Sequence, residues 1–447
     1  MRTNQIKKIR KKKKKKRRKK ILKASKKSFI IAGLVILLCL TVAFFFPAIN
    51  GWMVESRAYF GDTRAKFELA EYYYSGSAGF DKDFDKALYW YRKAAEKKHE
   101  GALFALGKIF EEGIIVVPDR RRAMSYYLQA ANRGERRAQV KVGMMHLGRI
   151  KNLGSGEDKA KALNQSDQEN LDQALSWLGK AADRDDRAAM ARLADLYLAG
   201  YGAPEDRKKA LPYLLRAAEL GDSGAQLRAG LFYLSGENLE KNPERGIKLL
   251  EEASIHGNVE ALYHLGVVAQ DPERARHYLE LAAEKGSCPS QELLGRMCEE
   301  GLGGSKNIYN AIKWYEHAAE NGSVPAMARL GTLYSRDDGE LKPDSEKALF
   351  YTRAAARAEN PEALRNLGLF FRTGFGVFQN QNKALHMFKA AADKGDAQAM
   401  YHLGECYEYG YGCFKNMNQA KVWYERARDE GSADASARLQ AFETNQF

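Results

Sequence analysis

Three aspartates, Asp81, Asp83 and Asp85, alternate through DKDFDK (81–86) and carry the oxygen donors with which a calcium loop begins. A helix–loop–helix calcium site also needs glycine at the sixth loop position and glutamate at the twelfth. Lys86 and Arg92 stand there, so capping of the next helix explains the aspartates more simply. Five cysteines and eight histidines are dispersed, with no C-x-x-C. An exported domain would permit a Cys406–Cys413 bridge, whereas Cys298 sits where other segments carry a core tyrosine and reads as a buried thiol. The GxG triplets, such as GYG (200–202), follow helices rather than strands and lack the third glycine of a dinucleotide site. G-x-S-x-G, H-E-x-x-H and an obvious carboxylate pair are absent. No catalytic, cofactor-binding or metal-binding residue is therefore assigned.

One pattern does promise chemistry. Large apolar residues recur at Phe67, Phe104, Val140, Leu227, Tyr263 and Tyr401. One position further on stand cations or histidines: Lys141, Arg192, Arg228, His264, Arg329 and His402. Aromatics edged by cations suit a peptide with apolar and acidic side chains. The expected contact residues are Phe67, Phe104, Tyr263, Tyr401, Arg192, Arg228 and Arg329. Packing between neighbouring helices is the competing explanation of the same spacing.

Such a surface requires a repeated element, and the chain has one. AQLRAGLFYLSG (225–236), ALRNLGLFFRTG (363–374) and AMYHLGECYEYG (399–410) align. So do KALYWYRKAAEKK (86–98), NAIKWYEHAAENG (310–322) and QAKVWYERARDEG (419–431). The unit reads A-x3-L-G-x2-Y-x2-G, a loop, then K-A-x2-W-Y-x2-A-A-x2-G. Units start at Ala65, Ala102, Ala138, Ala189, Ala225, Ala261, Ser290, Ala326, Ala363 and Ala399, and Ala435 opens a partial one. Helical spacing of the small and apolar residues predicts two antiparallel helices per unit, with glycine C-caps. One pair cannot cover its apolar face, so the pairs must stack.

The pattern resembles the Sel-one-like repeat family, relatives of the tetratricopeptide solenoids, over about residues 65 to 434. The resemblance implies an all-α, right-handed superhelical solenoid of about ten helix pairs. It also implies a scaffold for proteins or peptides, often in exported or membrane-linked complexes. Two units depart from the period. The third carries an insertion over 149–170, expected as a polar surface loop. The sixth is short, with Asp271 and Pro272 expected to cap and start its second helix.

Residues 1–28 form a basic tail. Of 72 Lys and Arg, 17 lie in 1–27, and the other 55 face 57 acidic residues, a net of −2. No charge occurs over 29–49, which as a helix would span about 31 Å, the thickness of a hydrocarbon core. This predicts an uncleaved, single-pass transmembrane signal anchor with a cytoplasmic N-terminus. The tail would lie on anionic lipid, and the repeats would be exported, into the periplasm in a bacterium. A lead-in helix is expected over 50–64 and a C-terminal capping helix over 435–447. The near-neutral remainder gives no expectation of a specific nucleic-acid partner. Two other readings are an envelope enzyme or enzyme inhibitor, and a soluble nucleic-acid-associated scaffold using the lysine tail.

Overall fold

The computed structural model describes residues 50–150, 163–200, 206–337 and 341–443. They form helices joined by short turns, with no strand among the described residues. The basic tail and the 29–49 segment lie outside these residues. Among the described residues no helix is long and apolar enough to cross a membrane.

A helix over 50–59 leads in and turns at Gly61. Asp62 caps Thr63–Ser75, the first helix of repeat 1, so the lead-in ends earlier than the expected residue 64. Ten helix pairs follow, closed by Ala433–Glu443. Two compact units divide them, Met1–Leu220 with repeats 1 to 4 and Gly221–Phe447 with repeats 5 to 10. Within each unit the helices of a pair pack on each other, and each second helix packs on the next first helix.

Local chemistry sets the start of each pair. The Asp222 carboxylate accepts from Ala225 N at 2.9 Å, Asn360 does the same for Ala363 at 2.9 Å, and Asn258 for Ala261 at 3.0 Å. Each such cap contributes about 1 kcal/mol. The small residue that marks each unit is therefore the third helical residue. It is fully buried at Ala65, Ala102, Ala189, Ala261 and Ala399, where a longer side chain has no room.

The Leu-Gly and Trp-Tyr signatures are two halves of one contact. The Tyr424 ring lies over Gly404 so closely that a Cβ there would sit 2.5 Å from Cε1. Tyr127 over Gly107 and Tyr315 over Gly295 repeat this at 2.6 Å, and Phe388 covers Gly368 at 2.7 Å. The missing side chain makes the seat for the ring. The GxG triplet has a packing role as well. Gly412 has φ +73°, and a Cβ on it would meet the Gln381 carbonyl oxygen at 2.4 Å. Gly303 approaches the Pro272 carbonyl in the same way, at 2.3 Å. The second glycine thus lets the loop touch the start of the preceding repeat's second helix.

The irregular units divide. Asp271 accepts from Glu273 N at 3.1 Å and Pro272 occupies the first turn, as expected, while the first helix of that unit shrinks to Val259–Val268. In repeat 3 the expected surface loop is corrected. Asn164 caps an 18-residue helix, Gln165–Ala182, so 165–170 extend the second helix by more than a turn. Asn170 Oδ1 lies 2.9 Å from His146 Nδ1 on the first helix, which anchors the extension. Residues 151–162 lie outside the described ones. The capping helix begins at Ala433 rather than 435, and Ala435 and Leu439 are its buried face against repeat 10.

Candidate partner-binding surface

The aromatics two residues after each start are half-buried, each held by side chains of its own unit or the next. Phe67 stacks on His99 with centroids 4.7 Å apart and tilts against Tyr91 at 6.1 Å. Phe104 packs on Tyr127 at 5.5 Å, with the Arg137 guanidinium 4.5 Å above its ring. Tyr263 meets His264 edge-on at 5.1 Å and packs against the cluster of Ala275, Leu279 and Leu294. Tyr401 tilts onto Tyr424 at 5.5 Å, and burial raises its phenol pKa.

The cations of the pattern also have local work. Arg192 pairs with Asp195 on its own helix at 3.6 Å. Arg228 is half-buried. Arg329 donates Nε to Glu299 Oε2 at 2.9 Å and Nη2 to Oε1. Glu299 also accepts from the buried Tyr315 hydroxyl at 3.3 Å. The same triad recurs twice. Tyr127 donates to Glu111 at 2.8 Å, and Lys141 reaches Glu111 at 2.9 Å. Tyr424 donates to Glu408 at 2.8 Å, and Arg438 Nε donates to it at 3.0 Å.

In each case a tyrosine from the second helix and a cation from the next first helix converge on one glutamate. Burial favours the neutral acid at Glu408, but hydrogen bonds from Arg438 and Tyr424 outweigh it and hold the carboxyl below its usual range. At Glu405 burial again opposes ionisation, and His402 with Arg372, at 2.8 and 2.7 Å, again lowers the pKa. The triads staple successive repeats.

The four expected aromatics are thus half-buried within their own helix stacks, and Arg192 and Arg329 are engaged in ion pairs. In the C-terminal unit part of the first-helix face is polar. A cleft of about 340 Å³ over repeats 7 to 9 is lined by Glu292, Arg296, Glu299, Pro325, Arg329 and Glu362, among others. Sequence reasoning missed the glutamates. Their signal was a fixed separation of 16 residues to the tyrosine and 30 to the next cation.

The position six after each start varies in type and in exposure. Glu71, Lys108, Met144, Val267 and Arg296 are exposed there, whereas Asp195, Leu231, Thr332, Leu369 and Glu405 are half-buried.

The cysteines do not form the permitted bridge. Cys406 and Cys413 are free thiols, and the Cys413 thiol donates to the Cys406 carbonyl oxygen at 3.4 Å. Burial pushes the Cys406 thiol up to about 12, which leaves it largely protonated and unreactive. Cys298 is fully buried, as its tyrosine register predicted. Of the calcium-like aspartates, Asp83 is spent as an N-cap, accepting from Lys86 N at 2.9 Å.

Comparison with known proteins agrees with this architecture. The Sel1 repeat profile matches ten segments: 63–99, 101–135, 165–186, 187–222, 223–258, 260–287, 288–323, 324–360, 361–396 and 397–432. Among solved structures, a protective antigen present in uropathogenic Escherichia coli strains is similar, with TM-score 0.58 and 26% identity. The match covers 89% of this chain and 91% of that one. A Sel1 repeat protein from Oxalobacter formigenes shares the fold, with TM-score 0.53 and 24% identity over 71% of this chain and 90% of the other. The chitin synthase regulator SKT5 of Saccharomyces cerevisiae is 28% identical over 272 residues, 57% of this chain but 37% of the relative. Its counterpart in Malassezia restricta is 28% identical over 146 residues, 32% of this chain and 10% of that protein.

Proposed function

The chain belongs to the Sel1 repeat family, and on that premise we propose that it is a membrane-anchored adaptor that holds partner proteins and performs no catalytic step itself. The variable position on the first helices carries this reading. The framework positions repeat because they build the stack: the buried alanine and the glycine under the ring. In repeats 2, 3, 6 and 7 position six is exposed and changes from lysine to methionine, valine and arginine, as expected of residues that read partners rather than pack. The two fungal relatives are named as regulators of an enzyme, which supports action through another protein. The anchor is residues 29–49, the tail 1–28 contacts anionic lipid on the cytoplasmic side, and the repeats lie across the membrane.

A photo-crosslinking residue placed at Met144 and at Val267 tests the adaptor role in living cells, with the exposed second-helix residue Ile255 as control. Discrete protein adducts from the first two positions and not from Ile255 are expected. Adducts to RNA alone, or equal yields at all three sites, contradict the reading. Protease added outside intact cells or spheroplasts should digest the repeats and spare the lysine tail. Digestion of the tail alone would reverse the topology.

A further inference from the structure

Within the C-terminal unit a second concavity, of about 700 Å³, opens between Ser345–Arg357, the second helix of repeat 8, and the loop of repeat 9. Its walls include Leu349, Phe371, Val377 and Phe378, and its charged members are Arg353 and Lys383, with no carboxylate in the lining. Among the described residues Arg353 is exposed and in no ion pair, and the Lys383 ammonium lies 5.3 Å over the Phe371 ring. This differs from the first-helix face, where glutamates pair with Lys141, Arg329 and Arg438.

The loop that carries Phe378 is held in shape. Phe375 N donates to Phe370 O at 3.2 Å, Gln379 Nε2 to Arg372 O at 2.8 Å, and Asn380 N to Phe371 O at 2.8 Å. Asn380 then caps the next helix through Lys383 N at 2.9 Å. Phe378 is 98% exposed on this braced frame, an apolar ring kept in water with nothing packed on it. One repeat on, the notch recurs in sequence except at Lys383, whose place Gln419 takes. Leu385, Lys389, Tyr407, Cys413 and Phe414 stand 36 residues after Leu349, Arg353, Phe371, Val377 and Phe378, and Phe414 is 95% exposed. In repeat 7 the position of Arg353 is held by Glu316, whose carboxylate accepts from Tyr334 at 2.9 Å, so the basic notch starts at repeat 8.

We propose that this cleft docks a short acidic peptide segment of a partner protein, with an apolar side chain between Leu349, Val377 and Phe378 and flanking carboxylates on Arg353 and Lys383. Apolar walls with two cations and no acid fit that chemistry, and the pre-shaped loop lowers the ordering cost of capture. The proposal rests on the adaptor reading and gives it one address.

The test uses the purified full chain and fluorescent synthetic peptides bearing Leu-Phe flanked by aspartates, by lysines or by serines, read by anisotropy. The aspartate-flanked peptide is expected to bind best and to weaken as salt rises. Phe378→Ser, and separately the pair Arg353→Glu with Lys383→Glu, should each weaken it about tenfold or more, as loss of an anchor does. All three side chains are exposed, so circular dichroism should stay unchanged. Lys313→Glu, exposed on the second helix of repeat 7 and outside the cleft, should leave peptide binding intact. Equal binding of the three peptides, or unchanged binding by both variants, overturns the proposal. So does binding of phosphatidylserine vesicles, lost in the same variants, without peptide binding. Failure here with intact cross-linking at Met144 and Val267 removes this cleft and leaves the adaptor reading standing, whereas loss of those protein adducts removes the reading itself.

Discussion

Glu299→Ala removes the one carboxylate on which Tyr315, Arg329 and Arg336 converge. The Glu299 side chain is 10% exposed and that of Arg329 is 34% exposed. Breaking a fully buried pair by deleting one partner costs about 3–5 kcal/mol. Arg329 keeps a third of its surface in water and can rehydrate, so the expected loss is smaller, about 2–3 kcal/mol, part of it from the stranded Tyr315 hydroxyl. The neighbouring exposed Glu300→Ala should cost about 0.5 kcal/mol or less. Urea titration of Glu299→Ala, Arg329→Ala and the double variant forms a cycle with a coupling of about 1–2 kcal/mol. Hydrogen exchange should localise the loosening to the repeat 7–8 junction, because repeats are stabilised by their neighbours. If Glu299→Ala melts like Glu300→Ala, or the coupling is zero, the triads are decoration and the cations at this register are free for partners after all.

Gly404→Ala already forces the Tyr424 ring to move, and Gly404→Leu more so; we expect a loss of about 1–3 kcal/mol or more, seen first in exchange of the C-terminal repeats. Gly412→Ala meets a carbonyl at 2.4 Å with φ at +73°, and should lower the melting temperature more than Gly395→Ala, where the added Cβ meets nothing. The lowered pKa values of Glu405 and Glu408 mean that the folded chain binds fewer protons than the unfolded chain there. Their contribution is complete above the unfolded glutamate range near 4.5 and is lost as pH falls through the lowered folded values, so Glu408→Gln should flatten the acid limb of a stability–pH curve. Replacing Phe104, Tyr263 and Tyr401 together by Ser should lower the melting temperature clearly, because all three are half-buried; an unchanged transition would return them to the role of free contact residues.

The helix pairs, their caps and their count were legible in the chain, because each depends on residues within one unit. An Asp or Asn three residues before the small residue that opens a unit is a cap at each such place. A glycine facing a Trp-Tyr pair signals a close crossing even before the ring is seen, and Asp271-Pro272 announces a helix start. The buried register of Cys298 followed from the same period. The fate of the cations did not. Lys141, Arg329 and Arg438 are periodic whether they face a partner or a neighbour. Only the offset between successive first helices decides that a residue three after one start meets the glutamate nine after the previous start. The helical extension at 165–170 likewise waited on His146, 24 residues back in sequence and 2.9 Å from Asn170. The notch around Phe378 belongs to the same class, since a helix of one repeat and a loop of the next build it together. A period of about 36 residues tells which residues are equivalent, and the stacking of one pair on the next tells which of them touch.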